Sequence, residues 1–428
     1  MKILNQHSKK FQDEFQTLLN QGSKENENIT NIVNDILTRV KNDGEKAIFE
    51  DIEKFDHWSP TSVDELYVDR KDMKKAYDNL DANLKKALHK AYDRIESYHK
   101  KQLQKSWIDY EENGTMTGIK ITPLQRAGLY IPGGKASYPS SLLMNAIAAK
   151  VAGVKEIIVT TPTPDGNINE LLLAGCFLCG VKDVLKIGGA TAIGVLAYGT
   201  KDIKKVDIIT GPGNIFVATA KRLVYGQVQI DMIAGPSEIG IIADSYANTD
   251  YLAMDMLSQA EHDEMARSIL ITTDENIATA TQLQIEKELK NLQREKIARS
   301  SIENYGCIIV VKTIDDAISL MNEIAVEHLE VMTSNPFELL PKIKNAGAIF
   351  LGENTPEPIG DYIAGPNHTL PTAGTAKFYS ALSVDNFIKK SSIIYFSKQA
   401  ISELGHDTMV LAQCEGLEAH KKAVELRL

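Results

Sequence analysis

Residues 183–214 read DVLKIGGATAIGVLAYGTKDIKKVDIITGPGN, and this stretch decides the fold. Two short apolar runs, DVLKI (183–187) and VDIIT (206–210), each end in a glycine turn: Gly188-Gly189-Ala190-Thr191 and Gly211-Pro212-Gly213-Asn214. Between them, 190–199 is apolar at helical spacing. Strand, glycine turn, helix and strand form the repeating unit of a parallel sheet with helices on both faces. Working outward, the same rhythm appears upstream in GLYI (128–131) and EIIVTT (156–161), and downstream in VQID (228–231), with helices predicted over 139–153, 166–178 and 214–225. A second set follows in EIGIIAD (238–244), SILITT (268–273), CIIVVK (307–312), LEVMT (329–333) and AIFLG (348–352). Two tandem α/β blocks with nucleotide-fold character are therefore expected, joined near Pro236.

The flanks read differently. The first 110 or so residues carry apolar positions at helical spacing among many charges, over 30–55 and 71–104. Beyond residue 380 there is one strand candidate, SIIYF (392–396), and then helix. The expected division is a mainly helical region 1–110 packing with the second α/β block, an α/β domain 111–236, a second α/β domain 237–380, and a tail 381–428. That tail is too short to bury a core alone and is expected to pack elsewhere, on this chain or another subunit.

At 428 residues the chain is long enough for more than one core. It carries 57 Asp and Glu against 47 Lys and Arg, a net charge of -10, and its basic residues are interspersed with acidic ones. Binding a phosphate backbone needs a basic surface, so nucleic acid is excluded as a partner. The N-terminus MKILNQHSKK has too short an apolar run for a signal peptide, and the longest apolar stretch, 142–154, is interrupted by Asn145 and Lys150. A cytoplasmic protein with no membrane partner is expected. Four cysteines make no disulfide scaffold, and Cys176 and Cys179 sit within an apolar helical pattern that reads as packing.

In open α/β sheets ligands bind beyond the carboxyl ends of the strands. Pro132-Gly133-Gly134-Lys135 follows GLYI, but its spacing is wrong for a phosphate loop and Ala136 stands where a metal-binding hydroxyl is needed. The turns at 188–191 and 211–214 are not dinucleotide fingerprints, yet paired glycine turns at neighbouring strand ends can present amide donors to a pyrophosphate. Among the histidines, His7, His57, His89 and His99 lie in the charged N-terminal region and read as solvated, and His406 as incidental. The other four keep polar company. Gln259 and His262 are three apart on a predicted helix; Glu327 and His328 immediately precede a strand; Asp361 and His368 bracket a glycine-containing loop; Glu415 and His420 lie near the C-terminus. Nitrogen and oxygen ligands without thiolate suit a catalytic zinc or similar divalent ion, and the Glu–His pair suits general-base work.

The strings LYIPGG (129–134), GPGN (211–214), DMIAGPSE (231–238), LSQAEHD (257–263), VEHLE (326–330), GDYIAGPNHTLPT (360–372) and CEGLEAHKKAVELRL (414–428) resemble histidinol dehydrogenase, from roughly residue 25 to the C-terminus. The resemblance implies zinc ligands at Gln259, His262, Asp361 and His420, and an acid–base pair at Glu327 and His328. It implies substrate contacts at Ser237, His368 and Glu415, shared with His328 and the metal ligands, and NAD contacts at Tyr130, Thr191 and Asn214. Thr191 stands where the family usually has Gln, so that contact is lost, shortened or water-mediated. Ile233 replaces the family's usual Pro. The implied fold is two incomplete Rossmann-like domains with parallel sheets and a small tail, in an intertwined homodimer whose tails complete each other's sites. The implied activity is oxidation of L-histidinol to L-histidine through an aldehyde, with zinc and two NAD, ending histidine biosynthesis. The alternatives are a paralogous zinc dehydrogenase of another small polar alcohol, such as a sulfonated diol, and a non-catalytic metal- or nucleotide-binding protein. Retention of Ser237, His368 and Glu415 argues against the first, and an intact Glu327-His328 pair against the second.

Overall fold

The computed structural model describes residues 1–22, 27–133 and 139–428; Gly134, Lys135 and Ala136 of the rejected phosphate-loop reading lie outside them. Two parallel sheets dominate. The first runs Asp183–Leu185, Glu156–Thr160, Arg126–Tyr130, Ile208–Thr210, Gln229–Ile230 across its width. Numbered along the chain, that order is 3-2-1-4-5, with a switch point between Arg126–Tyr130 and Ile208–Thr210. The second sheet repeats it with Cys307–Val310, Arg267–Thr272, Glu238–Ala243, His328–Met332, Ala348–Leu351, and adds Lys2–Asn5 in parallel beside Cys307–Val310. Both units therefore have the Rossmann strand order short of its last strand. The strands are buried on both faces, which accounts for runs such as Ile239, Ile241 and Ile242 without polar alternation.

The N-terminal region is shared rather than docked on the second block. Only the strand Lys2–Asn5 and the helix Phe11–Leu19 join that block, where Phe11, Phe15 and Leu18 pack with Ile269, Ile309 and Leu329. The helices Glu27–Asp43 and Glu45–Asp56 instead join the first unit, with Val33, Leu37, Val40 and Ile48 in one core with Ile193 and Leu196 of the helix Gly189–Tyr198, which lies over one face of its sheet. Arg70–Asp78 and Ala82–Lys100 pack on the helices Glu170–Cys179 and Pro139–Ala152 of the other face, with Met73, Leu88 and Ile95 in that core. His99 corrects the solvated reading: it lies on the buried stripe Leu88, Ala91, Ile95, His99 and is fully buried. Cys176 and Cys179 are buried with their thiols raised by burial, Cys179 to about 12, so no thiolate forms there at neutral pH.

A third, antiparallel sheet, Ile388–Tyr395, Met116–Pro123, Trp107–Tyr110, was not anticipated except for its strand within the tail. The helices Lys398–Cys414 and Glu418–Glu425 pack chiefly on one another; a Cβ on Gly405 would lie 3.0 Å from Leu428. Val410, Leu411 and Leu426 on this arm are largely exposed. Among the described residues no helix is long and apolar enough to cross a membrane.

Candidate active site

The ionisable cluster forms at the amino ends of the second sheet's strands, on either side of its switch point, rather than beyond their carboxyl ends. Glu327 precedes and His328 begins one strand, and Glu238 begins its neighbour. The helix Thr249–Ala260 carries Gln259 and ends before His262, which sits in the following turn with its N–H on the Gln259 carbonyl at 3.2 Å. Asp361 lies on the helical turn Gly360–Ala364. The loop beyond it crosses to the first unit: Asn367 donates to the carbonyl of Met144 at 2.8 Å, and His368 Nε2 lies 3.2 Å from Ser141 Oγ. Buried His99 donates through Nδ1 to the Ile95 carbonyl at 2.8 Å, which leaves Nε2 to accept the Asn367 amide at 3.4 Å.

Within the cluster, His328 Nε2 lies 3.7 Å from Asp361 and 4.0 Å from Glu357, and His368 Nδ1 lies 3.5 Å from Asp361. Ligand atoms of His262, Glu357 and Asp361 all fall within 4.8 Å of one another. Glu357 did not emerge from the sequence, because it stands in a Pro-rich turn, TPEPIG, with no histidine beside it. Its backbone N–H donates to Glu330 at 2.7 Å. Gln259 is fully buried, and both atoms of its amide lack a hydrogen-bond partner, as do His328 Nε2, Glu357 Oε1 and His368 Nδ1.

Unpaired buried polar atoms cost about 1–3 kcal/mol each, so a fold that keeps His328 Nε2, Glu357 Oε1 and His368 Nδ1 together around Asp361 is organised around something that satisfies them. The charges agree. Burial and the nearby Asp361 push Glu357 up to about 8. Burial likewise pushes Glu327 up to about 8, against the opposing pull of His328. Burial resists the charged His328, but Glu327 and Asp361 outweigh it and raise the ring to about 10. Burial also resists ionisation of Asp361, yet His328 and His368 hold it well below the usual carboxylate range. Burial lowers His262, which favours the neutral imidazole that a metal needs. An excess of carboxylates with neutral imidazole and a buried amide is the donor set of a divalent cation.

Glu415 ends the helix Lys398–Cys414 and His420 lies on Glu418–Glu425; both are exposed and make no hydrogen bond or ion pair with the cluster. Ser237 is half-buried beside it, its carbonyl accepting the Arg267 N–H at 3.0 Å. Ile233 is exposed in the loop preceding the second unit.

The three expected cofactor residues lie at the carboxyl end of the first sheet. Gly211, at φ +117, faces the Tyr130 backbone so closely that a Cβ would sit 2.0 Å from its oxygen. That turn is pinned from below: Lys221 donates to the Gly211 carbonyl at 2.9 Å, Asp231 accepts the Gly211 N–H at 2.9 Å, and the two side chains form a buried ion pair. Asn214 caps the helix Ile215–Val224. Tyr130 is buried, and its hydroxyl accepts the Gly189 N–H at 3.3 Å. The hydroxyl of Thr191 is turned to Asp51.

A family model described as histidinol dehydrogenase matches residues 19–428. Histidinol dehydrogenase of Wolinella succinogenes is 58% identical over 428 residues, 100% of this chain and 99% of that protein. That of Sulfurimonas denitrificans is 59% identical, covering 98% of this chain and 97% of its own. The crystal structure of histidinol dehydrogenase from Elizabethkingia anophelis superposes with a TM-score of 0.93 at 37% identity, over 100% of this chain and 98% of that one.

Proposed function

This chain belongs to the histidinol dehydrogenase family and is an oxidoreductase of histidine biosynthesis that oxidises histidinol; we propose that it does so with a zinc ion and two NAD, through sites shared between two copies of the chain. The observation that carries the cofactor reading is the approach of His262, Glu357 and Asp361 to within 4.8 Å of one another beside His328, with unsatisfied buried atoms on Glu357, His328 and His368 and on Gln259, three residues before His262. In this reading Gln259, His262 and Asp361 hold the metal from one copy, with Glu357 against them, and His420 completes the set from a second copy. The exposed apolar residues of the tail and the exposure of Glu415 and His420 support that exchange.

When bound, the cation orients the substrate and polarises its nitrogen ligands, while NAD provides the hydride acceptor; Tyr130 and Asn214 flank the crevice where it would lie. The chain's own residues manage protons. His328 donates through Nδ1 to the Glu238 carbonyl at 3.1 Å, which turns Nε2 to the cluster; Glu327 and Asp361 hold the ring charged without a cation, and a cation on Asp361 would cancel one of those pulls and free the Nε2 lone pair. It accepts the alcohol proton as the carbon–hydrogen bond breaks. Glu327 accepts a proton from the water that adds to the aldehyde carbon, and oxidation of the hydrate gives the carboxylate. Ser237, His368 and Glu415 are assigned to holding the substrate. Positioned bases of this kind contribute roughly 10²–10⁴ in rate.

NADH formation from histidinol, with and without a chelator, tests the assignment. Chelator-sensitive release of two NADH per histidinol is expected. Turnover of another alcohol but not histidinol would instead favour the paralogous reading, and no turnover of any alcohol the non-catalytic one.

A further inference from the structure

Both halves of the acid–base pair lean on one residue. The backbone N–H of Glu238 donates to Glu327 Oε2 at 2.9 Å, and its carbonyl accepts the Nδ1–H of His328 at 3.1 Å. The side chain of Glu238 is buried and takes no part in the chemistry described above. It accepts from Arg267 Nη1 at 2.7 Å and, through its other oxygen, from the Ala373 N–H at 3.1 Å. Arg267, equally buried, is its cross-strand partner in the parallel ladder. Its Nη2 donates to the Leu18 carbonyl at 2.9 Å, at the end of the helix Phe11–Leu19.

A buried ion pair is a poor source of net stability, because desolvating two charges cancels most of their attraction. Position is what this one supplies. We propose that Arg267 is a positioning residue for the reaction, acting through Glu238: the guanidinium fixes the first residue of the strand Glu238–Ala243, so that one residue presents a donor to Glu327 and an acceptor to His328 in the required register. The Glu238 carbonyl selects the His328 tautomer, and its N–H sets the direction of the Glu327 carboxylate. Misplacing such groups by about 1 Å costs on the order of 10²-fold in rate. The inference rests on Glu327 and His328 being the acid–base pair.

The test compares full-length, metal-loaded parent with Arg267→Met, Arg267→Lys, the double variant Glu238→Gln/Arg267→Met, and His328→Asn as reference. Zinc content and thermal midpoint are measured beside kcat and KM. For Arg267→Met, kcat per metal-loaded chain is expected to fall roughly 10- to 100-fold with KM for histidinol within about twofold, and Arg267→Lys to recover most of it. Arg267→Met alone strands a buried carboxylate and can fail to fold; the double variant removes both charges. It is expected to hold metal and to melt near the parent while remaining slow. A parental kcat in either variant, or a loss fully explained by missing metal, overturns the proposal. Parental turnover by His328→Asn would instead overturn the acid–base assignment beneath it.

Discussion

The hydroxyl of Thr191 donates to the carboxylate of Asp51 at 2.7 Å, a buried bond that ties the glycine turn of the first unit to the helix Glu45–Asp56. Asp51 is held in turn by Arg39 at 2.7 Å. The side chain at this position therefore serves the scaffold. Thr191→Val is expected to lower stability by about 1–2 kcal/mol, read as a shift in denaturant midpoint, while KM for NAD stays within about twofold. A tenfold rise in that KM would mean the hydroxyl does reach the cofactor.

His328→Asn keeps the ring's neighbours but has no titrating nitrogen. Turnover is expected to fall by roughly 10²–10⁴ with metal content unchanged. Metal analysis and steady-state rates on the same preparation check this, and a variant as fast as the parent removes His328 as the base.

The proposed sharing of sites between two copies is open to a complementation test. Mixing inactive His328→Asn with inactive His420→Asn, after dissociation and reassembly, gives mixed dimers with one intact site each, so about a quarter of parental activity is expected. If His420 serves its own chain, the mixture stays dead.

Burial raises Glu327 to about 8, and only its ionised form can take a proton from water. The ionised fraction grows with pH, so the rate from histidinal to histidine is expected to climb through about pH 8 and flatten above it. A flat profile between about pH 6 and 9 would assign water activation to another group.

Gly211→Ala would force a methyl to 2.0 Å from the Tyr130 carbonyl oxygen, at a φ of +117 that alanine disfavours. Loss of several kcal/mol of stability is expected, seen as poor soluble yield or a low melting midpoint. A normal midpoint would show that the turn has more room than its geometry implies.

The glycine turns and fully apolar runs were legible because parallel strands buried on both faces write themselves as uninterrupted Val, Ile and Leu. EIGIIAD and SILITT occur in the structure as Glu238–Ala243 and Arg267–Thr272. The hairpin Trp107–Pro123 was not legible: Trp107–Tyr110 is exposed along its length and carries no inward stripe. His99 was recoverable, since it continues the spacing of Leu88, Ala91 and Ile95, but the surrounding charges masked it. Glu327, His328, Asp361 and His262 could be nominated from residue type and neighbours. Their meeting depends on strand order within the second sheet, which no local pattern encodes. The expectation that chemistry sits beyond the carboxyl ends of strands misdirects in the second unit, where the reactive groups line the opposite edge. Arg267 and Glu238 were invisible for a related reason: a charged pair at the start of two apolar strands reads as solvated flank.

The edge strand Lys2–Asn5 pairs with Cys307–Val310, so a nascent chain makes one partner long before the other. The sheet of the first unit, 126–230, lies between those partners in the chain. Once folded, that unit acts as a bracket that shortens the effective span between the two partners and lowers the entropy lost when they join. The seam between Lys2–Asn5 and Cys307–Val310 thus encloses the whole of the first unit's sheet, so parting those two strands would open the second unit at its edge without unpairing any strand of the first.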